Sequence, residues 1–410
     1  MPKKPTLAST LAELRKKDYQ VGPLTTFDMR VEGLTTGNLT IDALTGVGGL
    51  PKGRVVELYG MPSSGKTTTG LQAAANLQQQ PGCHHTGFWD HETALDESYV
   101  RALGVDPDAK CEECSEPFFL YEQPRSFEHG ANLFFQLLPW LDLLITDSVA
   151  AMVSEHELEA AVGQVDVGTR GRLMYQYMRK ALRPIGQRGT CMVFLNHIQD
   201  VIDTSPMGRR LLAQGVKRQV TPGGRGLKFY ASLRMEFKQI GNIKSNVYDA
   251  ITNELVSQAR QTKTEVAVTK NKVGDPFGKA EVRVRFGKGF SNEWSALDVL
   301  VRHGKIRKDA GGVYRFVEPS LTPPELVMTN ADSAGERAGV SWIKGEDAVV
   351  SAMEGDPEFG GRCISAAREI VMGGWDVKLS EVEIAEAETD SSPDEPELEP
   401  GELDGVLGQA

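Results

Sequence analysis

Long hydrophobic runs are missing from these 410 residues, and no stretch approaches the length of a membrane span. Met1-Pro-Lys-Lys-Pro leads into no apolar signal core, so the expectation is a cytoplasmic protein with no membrane partner. Cysteine is scarce, at five residues, which excludes a disulfide framework and fits a reducing compartment. No internal repeat recurs, which argues against solenoids and propellers. Basic residues vanish between Glu381 and Asp404, where 11 acids stand with Pro393, Pro396 and Pro400. Those acids account for the whole formal charge of −11, and the segment's want of large apolar side chains predicts a disordered tail. The remainder is neutral, so a nucleic-acid partner is not excluded. Acids are missing in turn from the stretch after Asp203 up to Gly226, which holds Arg209, Arg210, Lys217, Arg218 and Arg225.

What is present begins with Gly60-Met-Pro-Ser63-Ser64-Gly65-Lys66-Thr67-Thr68, which fits the phosphate-binding loop at every fixed position. The apolar run Val55–Tyr59 precedes it and a helical pattern through Leu71, Ala74 and Leu77 follows, the strand–loop–helix setting that the motif requires. Glycines let backbone N–H groups approach an anion, and the helix start adds its positive dipole end. Lys66 is then the residue for the β- and γ-phosphates, and the Thr67 hydroxyl a ligand for Mg²⁺. This predicts binding of a nucleoside triphosphate.

Further strands are predicted at Thr86–Asp90, Leu141–Asp147, Cys191–Asn196, Leu233–Ile240, Glu265–Lys270 and Ala280–Phe286, alternating with helices in the core. That order implies an α/β fold with a mostly parallel central sheet. In the last strand Ala280, Val282, Val284 and Phe286 alternate with Glu281, Arg283 and Arg285, which predicts one wet face. Leu7, Leu11 and Leu14 give residues 6–18 one helical stripe. The region from about Ser291 to Trp375 reads as helical around a turn-rich centre. The run Leu143–Asp147 is a buried strand ending in an acid, where a nucleotide hydrolase holds Mg²⁺. Phe88-Trp89-Asp90 leads into Glu92, a carboxylate suited to activate the attacking water.

Several segments together resemble the RecA-type DNA strand-exchange recombinases, in a phage or bacterial form. They are Thr36–Leu39 with Gly48–Pro51, the phosphate loop, Phe88–Asp96, Thr221–Ser232 and Lys270-Asn271-Lys272, and the likeness extends from about Leu34 to Gly374. The resemblance implies a RecA-like ATPase core over 34–290, with residues 1–33 a polymerisation helix and linker. A small α/β domain would follow over 291–376 and the acidic tail over 377–410. It makes Glu92 the catalytic base and sets Asp96, Tyr99 and Phe286 around the adenine. Lys270 and Lys272 would reach across a subunit interface to the γ-phosphate, with Lys228 and Phe229 at the same interface. His197 stands where most bacterial relatives have Gln. An imidazole there would make the coupling of ATP to DNA depend on pH between roughly 6 and 8.

The basic, acid-free stretch falls on the second DNA loop of that family, with Gly223, Gly224 and Arg225 closing it and Ile202 placed as an apolar wedge between bases. The first DNA loop is expected near Ala161–Gly168, followed by Arg170, Arg172 and Arg179. The acidic tail would compete with DNA for basic surfaces. The function implied is ATP-dependent homology search and strand exchange by filaments on single-stranded DNA. ATP and Mg²⁺ are the cofactors, duplex DNA the second substrate, and single-strand-binding and loader proteins further partners. A ring-forming helicase of the same superfamily is the alternative, and a DNA-coating filament protein without turnover ranks third. The Cys83-His84-His85 and Cys111-Glu-Glu-Cys114 segments have no counterpart in the family pattern. Their residue types permit zinc, but with the two halves flanking Glu92 in sequence the favoured reading is reduced thiols.

Overall fold

A computed structural model describes residues 6–16, 30–161, 168–200, 210, 219–248, 255–323, 334–337 and 340–373. Helix α1 (Leu7–Lys16) forms where the leucine spacing predicts, yet none of its residues is buried and Leu7 is 75% exposed. Helix α2 (Leu39–Thr45) starts where the Asn38 side chain accepts the Ile41 N–H at 3.0 Å and ends on Gly46 in the left-handed region.

The core follows as β1 (Val55–Gly60), α3 (Lys66–Gln78), β2 (His85–Asp90), α4 (Glu97–Ala102), β3 (Phe119–Glu122) and α5 (Phe127–Leu137). Next come β4 (Leu141–Asp147), α6 (Glu155–Glu159), α7 (Thr169–Arg188), β5 (Cys191–His197) and α8 (Gly224–Tyr230). The long hairpin β6 (Leu233–Tyr248) and β7 (Leu255–Asn271), then β8 (Lys279–Arg285) and β9 (Gly289–Phe290), complete the sheet. Among the described residues this is a nine-stranded sheet in the order β9-β8-β7-β6-β1-β5-β4-β2-β3. From β6 to β3 all pairings are parallel; from β6 to β9 they are antiparallel. The α/β class is as expected, while β3 and the full length of β6 and β7 exceed the expectation. The extensions of β6 and β7 are polar, so no apolar run announces them, whereas β3 lies in the short apolar run Phe118–Tyr121.

Successive side chains along a strand point to opposite faces, and both faces of the parallel region are covered. Leu58, Phe88, Ile145 and Val193 pack with Leu71 of α3 on one face. Trp89, Leu144, Met192 and Phe194 pack with Phe134 of α5 and Tyr177 of α7 on the other. Among the described residues no helix is long and apolar enough to cross a membrane.

Beyond β9, helix α9 (Asn292–Arg302) leads into β10 (Ile306–Lys308), β11 (Val313–Phe316), β12 (Ala334–Arg337) and β13 (Val340–Lys344), then α10 (Glu346–Gly355) and α11 (Pro357–Gly373). The centre of this region is thus a four-stranded antiparallel sheet rather than turns alone, built from strands too short to signal themselves. The expected wet face of β8 is also corrected. Arg283 is buried, stacks 4.5 Å from the Trp294 ring and pairs with Glu346, while Arg285 pairs with Glu293 and Glu354. Alternation revealed two faces, but the second one is covered by charge pairing from α9 and α10, which polarity alone does not reveal.

Candidate functional site

The phosphate loop joins β1 to α3 at the C-terminal edge of the parallel strands, where open α/β sheets hold their ligands. Gly60 is required there, since a Cβ on it would lie 2.1 Å from the Phe237 carbonyl oxygen of β6. The Ser64 hydroxyl donates to Met61 O at 2.8 Å, folding the loop on itself, and Ser63 takes a positive φ of 58°.

Helix α3 starts at Gly65 with no side-chain cap and no acid in its first turn. The same holds for α7, starting at Gly168, and α8, starting at Gly223. By contrast Asn38, Asp96, Ser126, Ser154 and Ser291 cap their helices, and α10, which starts at an uncapped glycine, has Glu346 and Asp347 in its first turn. Bare N–H groups at a helix start suit an anion. The three bare starts are those of the phosphate loop and of the helices following the two expected DNA loops.

Lys66, buried beneath the loop, donates to Gly60 O at 3.2 Å and Met61 O at 2.8 Å. Burial lowers its pKa to about 8, against the pull of the Asp147 and Glu92 carboxylates. The Thr67 hydroxyl donates to Asp147 Oδ2 at 2.9 Å. Burial raises Asp147 to about 6; the Thr67 bond opposes that shift and the Glu92 charge adds to it. A hydroxyl and a carboxylate in contact, with the carboxylate held back from ionising, fit a hard divalent cation such as Mg²⁺.

Glu92 follows the end of β2. Asp90 shapes its loop, with Oδ1 accepting from Glu92 N at 3.1 Å and Oδ2 from Ala94 N and Leu95 N, each at 3.0 Å. Glu92 Oε1 accepts from the Ser148 hydroxyl and meets His197 Nε2 at 2.8 Å. Residues from β1, α3, β2, β4 and β5 therefore converge as expected, and His197 occupies a position bonded to the candidate base. Sequence reasoning missed the parts of Ser148 and Asp90. The only available signal was their adjacency to Asp147 and to the Glu92 segment.

Tyr99 lies close by, its hydroxyl 2.7 Å from Thr68 Oγ1, while Asp96 caps α4 by accepting Tyr99 N at 3.0 Å. Phe286 stands apart, 52% exposed just after β8. A second group forms away from Lys66. Lys270 Nζ donates to Lys228 O at 2.7 Å and Phe229 O at 2.8 Å, and Lys272 Nζ lies 5.9 Å from the centre of the exposed Phe229 ring. Both lysines hold carbonyls at the C-terminal end of α8.

At the other end of that helix, a Cβ on Gly223 would come within 2.9 Å of Val149 Cγ1, and Gly224 packs on Gly171 of α7. Asn196 joins this end to the sheet, donating to Pro222 O and to Glu57 Oε1 at 2.9 Å each. Glu57, wholly buried, is held in turn by Arg234 at 2.5 Å. Removing any partner from such a buried network leaves unpaired polar atoms costing about 1–3 kcal/mol each. Arg172, Arg179 and Arg225 are exposed on the adjoining helices, as is Arg210. Ile202, Arg209, Lys217 and Arg218 lie outside the described residues, as do most of the expected first DNA loop and the acidic tail.

A family model for the RecA N-terminal domain matches residues 7–291. Protein RecA of Mycolicibacterium vanbaalenii is 40% identical over 313 residues, covering 74% of this chain and 80% of that protein. Protein RecA of Salinispora tropica is 39% identical over 311 residues, covering 73% and 80%. The crystal structure of the RadB recombinase matches 63% of this chain and 98% of that chain at 16% identity, with a TM-score of 0.42. That likeness is too slight to add to the sequence relationships.

Proposed function

The chain belongs to the RecA family of ATP-dependent strand-exchange recombinases, and we propose that it hydrolyses ATP at the joints of a filament assembled on single-stranded DNA. The observation that carries this reading is the convergence of Lys66, Thr67, Asp147 and Glu92 beside an uncapped helix start. The bare N–H groups of the loop and α3 would hold the phosphates, and Lys66 would turn from the Gly60 and Met61 carbonyls to the γ-phosphate. Thr67 and Asp147 are the residues that would hold Mg²⁺, whose charge offsets that of the phosphates. Asp96 and Tyr99 would meet the adenine, with Phe286 covering it from the next subunit.

Glu92 takes a proton from the attacking water. With Oε1 engaged by Ser148 and His197, Oε2 is the oxygen for that proton. Lys270 and Lys272 supply positive charge to the neighbouring subunit's γ-phosphate as it leaves, and Lys228 and Phe229 line the same joint. Their place at the C-terminal end of α8, with Lys270 half-buried and Lys272 exposed, supports a role across a joint. Arg172, Arg179 and Arg225, with the basic stretch around Arg210, bind the DNA backbone in a salt-dependent and sequence-tolerant way.

The test is ATP hydrolysis with and without single-stranded DNA, run beside homologous strand exchange on the same preparation. DNA-stimulated hydrolysis and exchange, both lost in Lys66→Ala, are the expected result. Hydrolysis with unwinding and no exchange would make the protein a helicase. DNA and ATP binding without turnover would leave only a passive coat.

A further inference from the structure

The nucleotide site makes no use of the side chains at the opposite end of β2. There Cys83 Sγ lies 3.3 Å from Cys114 Sγ and 3.3 Å from His85 Nε2, and Cys114 Sγ lies 3.6 Å from that same nitrogen. The three ligand atoms all fall within 4.8 Å of one another. The buried Cys111 thiol, in the same turn as Cys114, interacts with both sulfurs but lies outside that group of three. Segments 26 or more residues apart in sequence are thus brought together by the pairing of β2 with β3, which begins at Thr86 opposite Phe119.

The surroundings are formed as they are around a bound metal. His85 Nδ1 is 2.7 Å from Pro117 O, which makes it the N–H donor and leaves the Nε2 lone pair facing the sulfurs. The neighbouring His84 is engaged elsewhere, 3.0 Å from Pro81 O and 3.6 Å from Asp142. Cys111 and Cys114 sit in a tight turn closed by Cys111 N to Glu116 O at 2.9 Å and Ser115 N to Cys111 O at 2.8 Å, with Ser115 at a φ of 61°. His85 and Cys111 are buried, while Cys114 is exposed and gives solution access to the cluster.

Tetrahedral zinc, with Zn–S of about 2.3 Å and Zn–N of about 2.0–2.1 Å, separates sulfurs by about 3.8 Å and sulfur from nitrogen by about 3.6 Å. The observed spacings reach those values with side-chain movements of a few tenths of an ångström. Two thiolates and an imidazole, with the Cys111 thiol beside them, are soft and borderline donors, which select zinc over magnesium or calcium. With Cys111 turned in as the fourth ligand, no open position would be left for chemistry.

We propose that Cys83, His85 and Cys114 bind one zinc ion, with Cys111 turning in as the fourth ligand, a structural site that fastens the turn before β3 to the start of β2. Binding releases the thiol protons to solvent, and needs no oxidant. The ion would cross-link a segment that otherwise has little regular pairing of its own, on the edge of the sheet.

The experiment measures metal in the full chain, purified from reducing cells without chelator. About one zinc per chain is expected, falling below about a tenth in Cys83→Ser and in Cys114→Ser but retained in Cys363→Ala, whose thiol is buried elsewhere. Cobalt added to the chelator-stripped native chain should give the intense visible absorption of a tetrahedral thiolate site. Stripping should lower the thermal midpoint, with recovery on adding Zn²⁺ but not Mg²⁺. If the serine variants do not fold, the cobalt titration of the native chain decides the matter. A native chain that takes up neither metal overturns the proposal. So does recovery of Cys83 and Cys114 as a disulfide from reducing cells.

Discussion

The two ends of β2 carry polar clusters of opposite construction. Around Glu92, at the C-terminal end, groups arrive from five elements and several remain poorly served: Lys66 rests on loop carbonyls, Asp147 is held back from ionising, and α3 has no cap. Around His85, three side chains from two segments turn on one another, with Cys111 beside them, and the histidine's outer nitrogen is fixed by a carbonyl. A site that must admit and release a ligand keeps donors and charges in reserve, whereas a fastening satisfies its groups internally. Unmet polar groups therefore mark the working end of the strand, and mutual contact marks the structural end.

Glu92→Gln is the sharpest way to separate the two. Hydrolysis should fall by about 10²–10⁴-fold, while zinc content and thermal midpoint hold, because Gln can keep the Ser148 and His197 contacts. If zinc is lost as well, the ends are one unit and the comparison breaks.

A pH series comes next in size. Asp147, raised by burial to about 6, is protonated below that pH, so the cation-binding carboxylate disappears as pH falls. Lys66, lowered by burial to about 8, loses its charge as pH rises through that value. Steady-state kcat/KM for ATP should therefore be bell-shaped between about 6 and about 8, dropping by up to about tenfold per unit outside those limits. A profile level from pH 5 to 9 would mean that neither group governs turnover.

The smallest effect belongs to His197. DNA affinity at neutral pH and saturating ATP should fall by a few-fold in His197→Ala and be largely kept in His197→Gln, which retains a hydrogen bond to Glu92. Equal affinity in all three proteins would reduce His197 to a packing residue.

Much of the working end could be read from sequence, because the loop from Gly60 to Thr67, the acid at Asp147 and the Glu92 segment are local patterns in their proper settings. Family resemblance supplied what local pattern could not, namely the roles of Lys270, Lys272 and Phe286, which no spacing links to the phosphate loop. The cysteine cluster stayed undecided because Cys83 and Cys114 meet only through the pairing of two strands, one of them the four-residue edge strand β3, and sequence does not say which strands pair. The fate of Arg283 was hidden likewise. Alternation set it on one face, but its ring partner Trp294 and its acid Glu346 come from later elements.

That buried arginine also sets an order in time. Glu346 follows Arg283 by 63 residues, so at roughly 5–20 residues per second a ribosome needs about 3–13 s to make it after Arg283 has been added. During that interval the antiparallel flank of the sheet is complete in sequence, but Arg283 has only the 3.8 Å pairing with Glu281 of its own strand, on a face still open to water. The nascent chain would therefore finish its parallel half first, and commit its flank only when the last helices emerge to cover it.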